Sequence, residues 1–257
     1  MPLKPEAWLD RYSLQARLAP AIIALIPPGA LLGIWANACS LSVISSALLA
    51  IALTYGLATL LAQLTRDLGK SKEASLYQRW GGKPSTVLLR HRSKALNSYT
   101  LARYHKKLGE LVRDVRLPSA EEEQLDPEGA DAVYEACGDY LRATTQDLSK
   151  YRRLFEENIG FGLRRNLWAL KPTALILDAL CILVGVVHIY YAETPGQMLS
   201  PAWLAVLSLN SILLLCWLFI IRPHWVRLPA DGYARQLIAC CEDFDSVMTA
   251  SRIVLPD

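Results

Sequence analysis

The chain has 257 residues, which is enough for one large domain or two small ones. Hydrophobic residues make up 53% of it, charged residues only 20%, and the mean hydropathy is +0.22. This composition excludes a disordered chain and is too apolar for an ordinary soluble domain, whereas the net charge of +3 says little about partners. All 27 lysines and arginines lie outside four long apolar runs. The sequence therefore predicts a membrane protein.

Four apolar segments are long enough for membrane helices, since crossing about 30 Å of hydrocarbon takes roughly 20 residues. In chain order they are Ala19–Ala38, Leu41–Leu64, Thr173–Tyr191 and Ser200–Ile221. Only Cys39 and Ser40 separate the first two, and Ala192–Leu199, which contains a Pro-Gly turn, joins the last two. The predicted fold class is all-α: an integral membrane protein with four transmembrane helices in two hairpins and a cytoplasmic helical hairpin as an insert.

The basic residues set the predicted orientation. Three precede the first span, 20 lie in the middle segment and four follow the last span, while the two short connectors contain none. By the positive-inside rule, both termini and residues 65–171 are cytoplasmic. The predicted division is an N-terminal segment 1–18, a hairpin 19–64, a basic insert 65–171, a second hairpin 172–222 and a C-terminal tail 223–257.

Pro27-Pro28-Gly29 lies inside the first span. Proline removes a backbone donor and clashes with the preceding turn, so the helix is expected to bend here. A kink of the kind that membrane helices tolerate fits this motif, and so does a hinge or a re-entrant bend that lines a cavity.

The insert shows no strand signal and is predicted to be helical. One helix is expected from Ser85 to about Arg116, followed by an acidic connector, Ser119–Asp126. Asp126 can cap a second helix that begins at Pro127 and runs to about Glu157. The glycine-containing segment Asn158–Gly162 is predicted to be a flexible joint that leads into the third span.

The first half of the insert is strongly basic. Between Ala74 and Gly109 there are eight basic residues and no acidic one, with aromatic residues interleaved. The candidate ligand-binding residues are Arg79, Trp80, Lys83, Arg90, Arg92, Lys94, Arg103, Lys106 and Lys107. Such a surface attracts anionic lipid, and it also matches the backbone charge of a nucleic acid or nucleotide. The turn at Trp80–Pro84 lacks the glycine spacing of a phosphate-binding loop.

Polar residues inside the spans are the candidates for a pore or gate. They are Asp178 in the third span and Asn210 and Ser211 in the fourth. An ionisable group at that depth is costly unless it faces a cavity or a partner. For Asp178 both a pore position and an ion pair with Arg164, Arg165 or Lys171 fit, and for Asn210 and Ser211 interhelical hydrogen bonding is the alternative.

The sequence contains none of the common catalytic motifs, and its six cysteines are not spaced as zinc ligands. We therefore expect neither enzymatic activity nor a metal or cofactor.

The whole layout, two membrane hairpins around a basic helical insert, resembles the membrane effector subunits of prokaryotic anti-phage defence systems. The Trp80–Pro84 turn and the basic segment Arg90–Lys107 contribute to the resemblance, which is greatest to Hailong-type systems and next to Kiwa-type systems. It implies a homo-oligomer, a tetramer, in the inner (plasma) membrane of a prokaryote. It also implies a DNA oligomer, made by a nucleotidyltransferase partner, that holds a channel closed until infection.

The predicted function is thus a ligand-gated, ion-channel-like effector that depolarises the host membrane when it is released. The alternative is a non-conducting membrane scaffold that recruits a cytosolic nucleic-acid-binding or nucleotidyltransferase partner. A secondary transporter is a third possibility, but no inverted repeat is evident between the two hairpins.

Overall fold

The computed structural model describes residues 11–38, 42–192 and 200–244, which contain helices and connecting turns and no strand. The α-helices are α1 (Ala19–Ala38), α2 (Val43–Trp80), α3 (Pro84–Leu89), α4 (Ser98–Leu111), α5 (Ala120–Leu125), α6 (Pro127–Thr144), α7 (Arg152–Ala192), α8 (Pro201–Phe219) and α9 (Pro223–Ala239). A π-helical stretch, Ser13–Leu18, precedes α1, and 3₁₀ turns occur at His91–Ser93 and Cys240–Phe244.

The four predicted spans are confirmed as helices. Within the described ranges, α1, α2, α7 and α8 are each long and apolar enough to cross a membrane. Helix α1 continues through Pro27 and Pro28, so the motif does not end the helix. The first predicted connector, Cys39–Ser40, lies outside the described residues. The second, Ala192–Leu199, also lies outside them, except for Ala192 at the end of α7.

The chain divides into two compact units. The apolar unit comprises the described residues of 11–73 and 159–226, and the polar unit comprises 74–158 and 227–244. Residues 227–244, which the sequence-based division places in a separate C-terminal tail, therefore fold with the insert. Leu237, Ile238 and Cys241 are buried in the same core as Leu89 and Tyr134.

In the apolar unit, glycines bring α1 and α2 close together. A Cβ atom at Gly29 would collide with the Thr54 side chain, and one at Gly33 would touch Ala50. Since a higher residue number on α1 meets a lower one on α2, the two helices run antiparallel. The same unit also packs α1 against α8.

The two long helices predicted for the insert are wrong in detail, because each is interrupted. The expected helix from Ser85 to Arg116 is divided by residues 90–97, where Lys94 adopts a left-handed conformation with φ of 50°. The backbone amides of His91 and Arg92 donate to the Glu123 carboxylate at 2.8 and 3.1 Å instead of continuing a helix. Asn97 then caps α4 by accepting a hydrogen bond from the Thr100 amide.

The acidic connector Ser119–Asp126 is itself largely helical. Ser119 and Glu122 form a capping box at the start of α5, in which each side chain accepts from the other residue's backbone amide. The predicted cap at Asp126 and the start of the next helix at Pro127 are confirmed.

The second predicted helix ends at Thr144 rather than at Glu157. The Thr145 hydroxyl donates to the Leu141 carbonyl, and Asp147 accepts from the amides of Ser149 and Lys150, which forms a turn. The flexible joint expected at Asn158–Gly162 is also wrong, since α7 runs through it. A Cβ at Gly162 would crowd Tyr12 and Ala16, so this glycine permits close packing.

Candidate functional site

Three of the predicted ligand-binding cations are held by acids from α5 and α6. Arg90 forms a two-point ion pair with Asp131, in which Nε and Nη2 each lie 2.7 Å from a carboxylate oxygen. Arg92 donates to both Glu123 and Asp131, and Lys83 lies 2.7 Å from Glu135. These contacts neutralise three cations in the middle of residues 74–109, the segment that contains no acid of its own.

Glu123 is the centre of this network. Only 1% of the residue is exposed, yet its carboxylate accepts from four groups: the amides of His91 and Arg92, the Arg92 guanidinium and the Tyr134 hydroxyl at 2.7 Å. Burial alone would raise the pKa of Glu123, but these hydrogen bonds outweigh it and hold the pKa below its ordinary value. The carboxylate therefore fixes the turn that separates α3 from α4.

Two histidines lie beside the Glu123 network. His91 Nε2 donates to the Pro118 carbonyl and His105 Nε2 to the Leu89 carbonyl, while the two rings meet edge to face with 4.8 Å between their centroids. Burial lowers the pKa of His105, and the neighbouring His91 lowers it further. Both rings are used in packing and backbone hydrogen bonds, which is a structural role.

The remaining predicted cations are distributed between an open cavity and the surface. Arg103, Lys106 and Lys107 line an open cavity of about 490 Å³ together with Glu110 and Glu242. Arg103 pairs with Glu242 at 2.5 Å, and Lys107 lies 3.7 Å from Glu110. Lys106 is exposed and also lines a neighbouring groove.

The other predicted ligand residues do not join this cavity. Trp80 is buried, whereas Arg79 and Lys94 are exposed. The nine residues therefore form an ion-paired group (Lys83, Arg90 and Arg92), a cavity group on α4 (Arg103, Lys106 and Lys107) and three separate positions.

The pore candidates differ in their surroundings. Asp178 and Asn210 are fully buried in the apolar unit, whereas Ser211 is exposed. Within the described part of the chain, neither the Asp178 carboxylate nor the Asn210 carboxamide has a hydrogen-bonding partner. Each is therefore a polar group inside an apolar helix bundle, with no hydrogen bond from the described residues to offset the free-energy cost of its burial.

The ion pair considered for Asp178 does not form, because the three candidate cations are used elsewhere. Arg165 pairs with Glu73 and donates to Asn166 Oδ1, and Asn166 Nδ2 donates to the Ala16 carbonyl. This arrangement, which sequence reasoning missed, joins α2, α7 and the segment before α1. Gly69 permits it, since a Cβ there would collide with Asn166 and Arg165.

Of the other two cations, Lys171 holds the end of α8 and Arg164 contacts α9. Lys171 Nζ donates to the carbonyls of Leu218 and Ile221, at 3.2 and 2.9 Å. Cations in this position complement the negative end of a helix. Arg164 lies over the Trp225 ring and donates to the Trp225 carbonyl at 3.0 Å.

Two classes of reactive site find no support in the part of the chain that the structure describes. No group of three or more histidines, cysteines or acids is placed to hold a metal ion there. The thiols of Cys137, Cys240 and Cys241 are buried in the polar unit, and burial raises their pKa values to about 11, 11 and 12. Thiols of this kind are unreactive core groups.

Comparisons with known proteins give no relative from which a function can be transferred. No family model, no curated protein and no solved structure matches the chain.

Proposed function

We propose that the chain is an oligomeric, ligand-gated membrane effector that conducts ions when an anionic ligand is released from its polar unit. Four helices apolar enough to cross a membrane supply the embedded part. Asp178 and Asn210 supply polar groups within that part. The α4 cavity, lined by Arg103, Lys106 and Lys107, supplies a place for the ligand.

The α4 cavity is the observation that carries the ligand proposal. Three cations and two acids line it, so it has a positive balance and room for a phosphate group. Arg103 and Lys107 pair there with Glu242 and Glu110, so the balance of one positive charge comes from Lys106. In the ion-paired group every cation is matched by Glu123, Asp131 or Glu135. We therefore assign the first contacts of a nucleic-acid-type ligand to α4 rather than to the whole basic segment.

The biological setting of the proposal rests on the resemblance to Hailong-type membrane effectors. In this setting the chain forms a tetramer in the prokaryotic inner membrane, with two hairpins and with both termini and the polar unit in the cytoplasm. A DNA oligomer from a nucleotidyltransferase partner keeps it closed, and release of that oligomer depolarises the infected cell.

A non-conducting scaffold is the second candidate, and the ion-pair network favours it. Because Lys83, Arg90 and Arg92 are neutralised within the polar unit, the surface left for a polyanion is smaller than the sequence predicts. A scaffold would use the polar unit to recruit a partner protein and would bind no oligonucleotide itself.

Binding of a short, fluorescently labelled single-stranded DNA to the purified full-length chain in detergent tests the ligand assignment. We expect Lys106→Glu to weaken binding about tenfold or more, because it places a negative charge in the cavity. Lys94→Glu is the matched control, since it makes the same charge change at an exposed position that does not line the cavity. It is expected to change affinity by less than about threefold.

Co-purified material provides a second readout of the same assignment. A nuclease-sensitive oligonucleotide on the wild-type protein and its loss from Lys106→Glu would support the gated effector. Equal weakening by Lys94→Glu would contradict the α4 site. The absence of any DNA binding by well-folded wild-type protein would overturn the ligand and favour the scaffold.

A further inference from the structure

Asp178 and Asn210 lie on the same seam between α7 and α8. Along α7, Lys171 contacts the end of α8, Ala174 shares a core cluster with Trp217, and His188 stacks on Trp203 with 4.4 Å between ring centroids. The two helices therefore run antiparallel. A Cβ at Gly185 would also meet Leu207 and Trp203 of α8, so positions 171, 174, 185 and 188 mark one face of α7 with a spacing of three and four residues between neighbouring turns.

Both polar residues occupy positions in this repeat. Asp178 falls between Ala174 and Cys181, which both face the seam. On α8, Asn210 falls one heptad before Trp217 and one heptad after Trp203. The antiparallel register places the two side chains about one helical turn, roughly 5 Å, apart along the helix axes.

Helix α1 covers the seam at the same depth. Ala24 packs in the cluster with Ala174 and Trp217, and Leu31 packs in the cluster with Cys181 and Trp203. The segment between Ala24 and Leu31 contains Pro27 and Pro28, which have no amide hydrogen. The carbonyl groups of Ile23 and Ala24 consequently lack their usual helical donors.

We propose that this place in the apolar unit binds one monovalent alkali cation between the Asp178 carboxylate and the Asn210 carboxamide oxygen. The carbonyl oxygens of Ile23 and Ala24 in α1, which lack helical donors because of Pro27 and Pro28, are further ligands at the same depth. Membrane proteins bind sodium in this way where interrupted helices expose carbonyl groups at the depth of the bilayer. The site does not depend on the proposed gating, since a bound cation stabilises the helix bundle whether or not the protein conducts.

The charge balance selects a monovalent cation. One carboxylate and one monovalent ion give a neutral site, whereas a divalent ion would leave a positive charge among apolar side chains. A proton would also neutralise Asp178, but neither side chain has a hydrogen-bonding partner among the described residues, so the two do not reach each other directly. A cation held between two oxygens spans a wider gap than a hydrogen bond does. An oxygen-binding cation contacts both side chains, through the Asp178 carboxylate and Asn210 Oδ1.

Thermal unfolding of the purified full-length chain in detergent tests the site. Sodium chloride is titrated against choline chloride at constant ionic strength, with potassium chloride as a second series. We expect a saturable rise of the unfolding midpoint in sodium, about 5 °C or more. Asp178→Asn is expected to abolish the rise while unfolding in choline no earlier than the wild type, because it removes the buried charge. Failure to fold is thereby distinguished from loss of the ion.

Ser211→Ala is the matched control, since it removes an exposed polar group next to Asn210. It must keep the sodium response, whereas Asn210→Leu must lose it. The proposal is overturned if neither sodium nor potassium raises the midpoint of the wild type above its value in choline, or if Asp178→Asn retains the response. A midpoint that rises on acidification in choline and ignores sodium would also overturn it, because a proton would then neutralise Asp178.

Discussion

Replacing Glu123 with glutamine is expected to lower the free energy of unfolding of the polar unit by on the order of 3 kcal/mol. The substitution preserves the volume but removes the charge that accepts from the His91 and Arg92 amides, the Arg92 guanidinium and the Tyr134 hydroxyl. Buried donors are then left unsatisfied. Hydrogen–deuterium exchange of peptides from residues 84–144 in the full-length protein measures the effect as faster local opening.

Glu128→Gln is the control for this experiment. It makes the same chemical change at an exposed position in the first turn of the neighbouring helix α6. Its effect should stay within about 0.5 kcal/mol. If the two variants exchanged at the same rate, the Glu123 network would not stabilise the polar unit.

The same carboxylate predicts a pH dependence. The pKa of Glu123 is lower in the folded protein than its ordinary value of 4.5, so the folded state binds the proton more weakly than the unfolded state. The stabilisation is therefore complete above about pH 4.5 and is lost as the pH falls through the lower folded pKa. The Glu123→Gln variant should lack this part of the acid sensitivity.

The second large effect is expected at Glu73, where leucine should destabilise the apolar unit by on the order of 3 kcal/mol. Arg165, whose side chain is 8% exposed, pairs with Glu73 and would be left as an uncompensated buried charge. The double variant Glu73→Leu, Arg165→Met should recover at least half of the loss, since apolar replacement of a whole buried pair is often tolerated. Unfolding in detergent, followed by circular dichroism, measures both.

An exposed ion pair on the same helix α7 serves as the comparison. Arg152 and Glu156 lie 3.0 Å apart and both side chains are exposed, so Glu156→Ala should cost less than about 1 kcal/mol. A Glu73→Leu variant that resembled Glu156→Ala would contradict a structural role for the Arg165 ion pair.

The membrane helices were predictable because their signal is local. Ala19–Ala38 is identified by the length and apolarity of one continuous segment, and α1 has the same bounds. The cap at Asp126 and the start of α6 at Pro127 depend on two adjacent residues and were also predictable.

The environment of the basic residues was not predictable, because it depends on pairing between distant segments. The acid-free stretch 74–109 suggests an open polyanion site, yet Glu123, Asp131 and Glu135 neutralise three of its cations. Ser119–Asp126 was predicted to be a connector, although the spacing of Ser119 and Glu122 is that of a capping box at a helix start. Nothing local indicates that Glu123 would turn inward to hold the amides of residues 91 and 92.

For the polar residues of the spans, too, the position was predictable from the sequence and the environment was not. The sequence places Asp178 and Asn210 within apolar helices, but the α7–α8 register is needed to put them on one seam. The cations considered as partners of Asp178 are instead held by Glu73, Trp225 and the end of α8. What Asp178 contacts follows from three-dimensional packing that no spacing rule supplies.

The most direct test of ligand-controlled conduction is the membrane potential of bacterial cells in which the chain is expressed alone. A potential-sensitive dye reports the potential while membrane fractionation verifies that the protein is inserted. Because no ligand-producing partner is present, we expect loss of the potential and arrest of growth soon after induction. A normal potential and normal growth with verified protein in the membrane would contradict the effector and leave the non-conducting scaffold.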